Sequence, residues 1–364
     1  MKIAVFHNFL DNIGGAEIVT LTLARELEAD VYTTNINKEK IERMGFGDVS
    51  PRIFSIGKIP VNAPWRQQAA FYKFRKLDLS KRYDFFVISG DWAMSGAVKN
   101  KPNLWYVHSP LNELWAFKPF IRKNLLTFFQ RPAYDIWTYF MRKLSLRYAE
   151  HVELFVANSQ NTKNRLKKFY EKDSTVIHPP TDTNSYRYED SEGYWLSVNR
   201  LIPHKRIEIQ LDAFRNMPEE KLIIVGSFEA GAKQFEETKK KIAESLPQNV
   251  TLIHFAEKEK LRDLYARSKG VITTSMDEDF GMSVIEAFAS GKPVIAPDEG
   301  GYKETVEHNV NGILIENIDG EKLREAIIEI NKKDPSLYRD RNILKAKDFD
   351  TRAFIQKIRT MIEK

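Results

Sequence analysis

Short apolar runs of strand length recur along the whole chain, and between them apolar residues return every three to four positions. That alternation constrains the fold more than any other feature. It is the signature of βαβ units, which assemble into a mostly parallel sheet with helices on its faces. Strand candidates in the first half are residues 3–6, 31–34, 85–89, 104–108 and 155–158, with a polar loop over 8–15 and an amphipathic helix over 16–27. Residues 176–193, VIHPPTDTNSYRYEDSEG, break the rhythm with paired prolines and turn formers, and read as a linker. The alternation then resumes, with strands expected over 194–198, 222–225, 250–255, 271–274, 294–296 and 313–315. Helices are expected over 205–216, 233–246, 258–268, 321–332 and 351–364. A chain of 364 residues can bury two cores. Two doubly wound domains follow, over 1–180 and 194–347, with a cleft between them as the default active site.

Composition narrows the functional classes. A hydrophobic content of 42% and a charged content of 29% are ordinary for a globular protein. No apolar run reaches 18 residues, and the N-terminal MKIAVFHNF is a strand pattern rather than a signal peptide, so a cytoplasmic location is expected. Cysteine is absent, which removes disulfides, thiol catalysis and cysteine metal sites together. The net charge of +6 is too small to argue for a nucleic-acid partner, and none is expected.

The chemistry concentrates in residues 273–286, TTSMDEDFGMSVIE. The stretch closes an apolar strand, turns through an acidic loop containing Gly281, and opens a helix. In parallel sheets ligands sit beyond the carboxyl ends of strands, where helix N-termini present amides to anions. Glu278 and Glu286, eight positions apart, add carboxylates for hydroxyl groups. A nucleotide-linked sugar carries both kinds of group. Asp277, Glu278 and Asp279 could instead hold a divalent ion. Arg200 and Lys205 in NRLIPHKR already bring positive charge after a strand, where they would clamp a diphosphate, so no metal is expected.

Weaker signals lie elsewhere. Gly14 and Gly15 separate a strand from a helix and would let backbone approach a ligand, or would only make a tight turn. His108 ends an apolar strand, where its ring could donate to a sugar hydroxyl or to a developing charge, or simply close the strand. Gly226, after LIIV, is another point of backbone approach. In residues 113–148, nine aromatics from Trp115 to Phe140 interleave with basic side chains. That pattern suits an anionic membrane surface or a lipid-linked acceptor, and equally a buried helix pair with its charges in water. Stacked single-stranded nucleic acid is a more distant reading.

Taken in order, GGAE, YVHSP, FVANSQNTKNRL, VIHPPTD, SVNRLIPHKR and EDFGMSVIEAFASGKPVIAPDEGGYKETV resemble glycosyltransferase family 4. The resemblance runs along nearly the whole chain. It implies the GT-B architecture: an α/β fold of two Rossmann-like domains facing across a cleft, with the C-terminal helix (348–364) crossing back to the first. It also implies retaining transfer of a hexose from a nucleotide diphosphate donor, without a metal or other cofactor, to a glycan or lipid-linked acceptor. YVHSPLNELW is similar to mannosyltransferases of lipid-linked polysaccharide assembly, which points to GDP-mannose. By position, Arg200 and Lys205 would hold the diphosphate, Glu286 the ribose and Glu278 the donor sugar. The amides of Gly281, Met282, Ser283 and Val284 would meet sugar or phosphate. Gly15 would lie against the diphosphate and His108 against the donor sugar. The base would lie along Phe255 to Leu261, where Ala256 replaces the glycine common in the family. A sugar-nucleotide 2-epimerase or a catalytically silent binder of the same architecture are the alternatives. The first lacks convincing carboxylates in the first domain. The second is disfavoured by the complete polar set.

Overall fold

The computed structural model describes residues 1–61, 65–226, 240 and 242–363. The chain divides into two compact units, Met1–His178 with Ile355–Lys364, and Pro179–Phe354. The helix expected over 233–246 falls largely outside the described residues, as does residue 364.

The first unit is built on seven strands: β1 (Ile3–Phe6), β2 (Asp30–Thr33), β3 (Ile53–Ser55), β4 (Phe85–Ile88), β5 (Asn103–Val107), β6 (Leu154–Ala157) and β7 (Thr175–Val176). They pair in the order β3-β2-β1-β4-β5-β6-β7, every neighbour parallel. β1, β4 and β5 are buried along their whole length, as expected of strands covered on both faces. Phe6, Phe74 and Phe86 meet in their core with ring centroids 5.5–5.8 Å apart. β3 and β7 are three- and two-residue edge strands, too short to carry a period, and a helix not among those expected spans Trp65–Lys76. The C-terminal helix, Thr351–Ile362, runs into this unit, and Arg359 donates to the Glu26 carbonyl at 3.0 Å.

The second unit has six strands: β8 (Tyr194–Val198), β9 (Lys221–Val225), β10 (Val250–Ile253), β11 (Val271–Ile272), β12 (Val294–Pro297) and β13 (Gly312–Ile315). Their order is β10-β9-β8-β11-β12-β13, again parallel throughout. In both sheets the first strand of the unit is central and the chain reverses direction beside it, between β1 and β4 and between β8 and β11. A crevice opens at such a switch point, beyond the strands' carboxyl ends.

Residues 179–193 are not a free linker but part of the second unit. The amides of Glu189 and Glu192 donate to the carbonyls of Ala266 and Arg267, and Lys292 Nζ donates to the Glu189 carbonyl at 2.7 Å. Tyr186 packs edge-on against Tyr265. Backbone pairing and aromatic packing tie down a segment whose prolines and turn formers read as a linker.

Candidate active site

At the switch point of the second sheet, β8 ends at Val198, the Asn199 amide still donates to the Val225 carbonyl, and Arg200 is exposed. The helix expected from residue 205 begins later. A 3-10 turn over Pro203–Lys205 comes first, then Arg206 at φ +50°, and only then the helix Ile207–Arg215. The turn aims Lys205 back across the sheet, where its Nζ lies 2.5 Å from Glu278 Oε2. Lys205 and Glu278 are mostly buried, with side chains 12% and 20% exposed. Burial alone would raise the Glu278 carboxyl. The Lys205 ammonium, through its charge and its hydrogen bond, holds it well below the usual carboxylate range. Beside this pair, burial and the Lys205 charge lower His204 to about 3, so it stands neutral.

Arg206 and His204 were passed over in the sequence, although both stand in the motif that contains Lys205. Arg206 Nε donates to the Thr274 carbonyl at 2.6 Å, and its guanidinium pairs with Glu299. It thereby fastens the loop after β11 to the loop after β12.

That acidic loop is shaped by its neighbours. Asp277 takes φ +45°, and the Gly301 amide donates to the Glu278 carbonyl at 2.7 Å. A Cβ at Gly300 would meet the Glu278 nitrogen at 2.7 Å, and one at Gly301 would meet the Asp279 carbonyl oxygen at 2.5 Å. The second glycine pair therefore exists so that two loops can touch. Gly281 sits at φ +90°, caps the helix Met282–Ala289, and would place a Cβ 2.6 Å from the Tyr302 ring. Tyr302 is buried, shares a hydrogen bond with Thr273 at 2.5 Å, and reaches Glu278 at 3.5 Å. Among the described residues no group of three or more His, Asp or Glu side chains is arranged to hold a metal ion.

The first turn of the Met282–Ala289 helix presents Met282 and Ser283, whose amides lack intrahelical partners by position. The Val284 amide donates to the Gly281 carbonyl at 3.0 Å, and the Val284 side chain is fully buried. Glu286 stands one turn in. Tyr265 donates to its Oε2 at 2.6 Å, and Tyr186 also favours its ionised form. A helix N-terminus by itself favours the ionised form of a carboxyl. Burial instead pushes the Glu286 carboxyl up, against the lowering effect of the two tyrosines.

Two of the expected donor-site residues also serve the fold itself. Leu261 lies on the helix expected from residue 258, Lys258–Ala266, with its side chain packed on the core. Phe255 does remain on the connecting loop, about a third exposed. Gly226 has an internal reason for its missing side chain, since a Cβ there would lie 1.9 Å from the Asn199 carbonyl oxygen.

In the first unit, Gly14 caps the helix Gly15–Glu26 in extended backbone, and the Glu17 carboxylate curls back to within 2.6 Å of where a Gly14 Cβ would lie. His108 follows β5. Its Nε2 lies 2.8 Å from Ser89 Oγ, its carbonyl accepts from Asn158, and burial lowers its imidazole to about 3. It is a neutral group.

Residues 113–148 divide their side chains between two environments. They form helices Lys118–Asn124 and Arg131–Ala149 joined by the short turn Phe128–Gln130. One face of the longer helix buries Thr138, Met141, Ser145 and Tyr148, with Trp115 and Trp137 packed on the core. The other exposes Ile136, Tyr139 and Phe140, and the turn before it exposes Phe128 and Phe129 (75% and 88%). Among the described residues no helix is long and apolar enough to cross a membrane.

Comparison with known proteins now defines the class. Residues 180–348 match the family described as Glycosyl transferases group 1, and residues 13–185 match Glycosyltransferase Family 4. The chain belongs to these glycosyltransferase families, has the GT-B fold, and is a transferase. It is 28% identical over 285 residues to the O-antigen chain mannosyltransferase RfbU of Salmonella typhimurium, covering 69% of this chain and 77% of that one. It is 25% identical to the alpha-1,3/1,6-mannosyltransferase ALG2 of Candida glabrata, over 100% of this chain and 93% of that one. Among solved structures it is similar in fold to Anabaena Alr3699/HepE in complex with UDP and glucose, with TM-score 0.77, 22% identity, and coverage of 100% and 99%. Sucrose-phosphate synthase from Thermosynechococcus elongatus shares the fold at TM-score 0.75 and 18% identity, with coverage of 99% and 98%.

Proposed function

We propose that the chain transfers mannose from GDP-mannose to a glycan or lipid-linked acceptor, with retention at the anomeric carbon and without a metal. The observation that carries this reading is the cluster at the second unit's switch point. There a mostly buried lysine–glutamate pair, two helix amides without intrahelical partners and a tyrosine-held carboxyl stand on the loops and helix that follow β8 and β11. The mannosyltransferase relatives support the choice of sugar.

In this reading Lys205 and Arg200 take the negative charge that grows on the diphosphate as the C1–O bond breaks, assisted by the Met282 and Ser283 amides. The cations stand where a metal would otherwise be needed. Glu278 holds Lys205 in place and accepts from hydroxyls of the transferred sugar, as an ionised carboxylate can do for several donors at once. Glu286 meets the ribose diol and Phe255 the base. In the first unit, Gly15 lies along the diphosphate and His108 meets the donor sugar. The acceptor oxygen forms the new bond to C1 on the face the phosphate leaves, and its proton passes to the departing phosphate oxygen. That route needs leaving-group stabilisation more than a protein base. The exposed Phe128, Phe129, Ile136, Tyr139 and Phe140, beside the exposed Lys123, Lys143 and Arg147, fit an anionic lipid surface that would hold the enzyme next to a lipid-linked acceptor.

A thermal-shift panel of GDP-, UDP- and ADP-sugars in excess EDTA tests the donor assignment. GDP-mannose is expected to raise the melting temperature most, and a larger shift with a UDP-sugar would replace it. Strict dependence on added Mn²⁺ would restore a metal at Asp277–Asp279. Flotation with phosphatidylglycerol vesicles tests the lipid surface: binding is expected, and its absence would remove the membrane from the proposal.

A further inference from the structure

Beneath the first unit's switch point runs a line of polar side chains from four elements. Thr20, on the helix Gly15–Glu26, is fully buried. Its hydroxyl lies 2.8 Å from the Ala16 carbonyl, 3.0 Å from His7 Nδ1 and 2.7 Å from Ser89 Oγ. Ser89, fully buried at the end of β4, lies in turn 2.8 Å from His108 Nε2. His7 is buried just beyond β1, with Nε2 3.8 Å from Glu17.

Counting protons resolves this chain. A threonine hydroxyl has one proton to donate and two lone pairs with which to accept. Of the three atoms around the Thr20 oxygen, only the Ala16 carbonyl is confined to accepting. All three contacts are hydrogen bonds only when Thr20 gives its proton to Ala16 and accepts from both His7 Nδ1–H and Ser89 O–H. The backbone contact is the usual one for a helical threonine. Ser89, having donated to Thr20, can then only accept from His108. Any other arrangement sets two oxygens 2.7–2.8 Å apart, or an oxygen and a ring nitrogen, with no proton between them. A buried polar contact left without its proton costs about 1–3 kcal/mol.

We infer that the His7–Thr20–Ser89 chain fixes His108 in its Nε2–H tautomer, so that His108 meets the donor sugar through Nδ1 as a hydrogen-bond acceptor. Thr20 and Ser89 are positioning residues acting through His108. This revises the expectation that His108 donates: a neutral ring whose only N–H is given to Ser89 has a lone pair, not a proton, to offer a sugar hydroxyl. Such a group can orient and tether a hydroxyl but cannot neutralise charge on a phosphate, and that separates its task from the work of Lys205. The inference rests on the proposed contact between His108 and the donor, while the tautomer itself rests only on the chain.

Nitrogen-15 labelling of the seven histidines, with two-bond proton–nitrogen correlation at neutral pH, reads the tautomer directly. His108→Gln identifies the His108 signals. The wild type is expected to show Nε2 protonated and Nδ1 bare, and an Nδ1–H pattern would overturn the inference without any variant. Thr20→Val keeps the shape and removes the acceptor of Ser89. Ser89 then turns its proton to Nε2, and His108 should switch to the Nδ1–H form, with kcat about tenfold lower for the loss of one well-placed hydrogen bond. Thr20→Ser should retain Nε2–H. A Thr20→Val protein with wild-type His108 signals would also overturn the inference, because a threonine that merely packs would leave the ring unchanged. GDP-mannose is then added to the wild type. If the tautomer switch holds and the His108 signals do not move, the donor contact is wrong and the chain stands.

Discussion

The two units handle polarity at their switch points in opposite ways. In the second, full charges face each other: Lys205 on Glu278 at 2.5 Å, with Arg206 on Glu299 locking the loop behind them. In the first, the polar line from His7 through Thr20 and Ser89 to His108 is joined by hydroxyls, and burial keeps His108 neutral. The difference teaches which task each can perform. A cation already held in a mostly buried pair can take up negative charge as a diphosphate departs, with little rearrangement at that moment. Neutral groups joined by hydroxyls have no charge to give, but they have fixed directions, and direction is what a sugar hydroxyl needs.

The largest expected effect breaks the charged side. Lys205→Ala should lower kcat for hexosyl transfer by about a thousandfold, in line with the loss of a charge stabiliser from a preorganised site. Glu278→Gln should cost less, since it releases Lys205 without removing it. Steady-state kinetics on both variants decide the matter, and wild-type turnover in Lys205→Ala would end the assignment.

A smaller effect separates ribose binding from charge handling. Tyr265→Phe removes the tyrosine hydrogen bond on Glu286. Donor KM should rise about tenfold with kcat little changed, as expected when binding is lost equally from ground and transition states. A fall in kcat alone would place Glu286 at the reacting centre instead.

The smallest effect concerns acid. His108 and His204 are both lowered to about 3 by burial. The unfolded chain takes up their protons below about 6.5, the ordinary histidine value, whereas the folded chain does so only near 3. The unfolded state therefore binds more protons in that window, and stability should decline as pH falls from about 6.5 towards 3. Urea titrations of His108→Gln and His204→Gln should show a shallower decline than wild type. An unchanged slope would mean the rings are already charged in the native state, and the neutral side of the comparison would fail.

Much of the fold was legible because its cause is local. β8 and the helix Lys258–Ala266 follow the patterns that predicted them, and Gly281 stands where a left-handed turn must open a helix. β3 and β7 stayed hidden because two or three residues carry no period. The candidate site was legible in its residue types but not in its partnerships. Nothing in the sequence marks Tyr265 or Tyr302, yet they hold Glu286 and reach Glu278.

By itself the sequence determined the alternation of strands and helices, the glycines at the sharp turns, and the presence of a lysine and two glutamates near strand ends. Tertiary structure alone decided that Lys205 finds Glu278, 73 positions away, and that Thr20 finds Ser89, 69 positions away. The reason is physical. Propensity and period act within a few residues, whereas the order of strands in a sheet decides which distant loops share a crevice, and only a shared crevice can pair a charge or direct a proton.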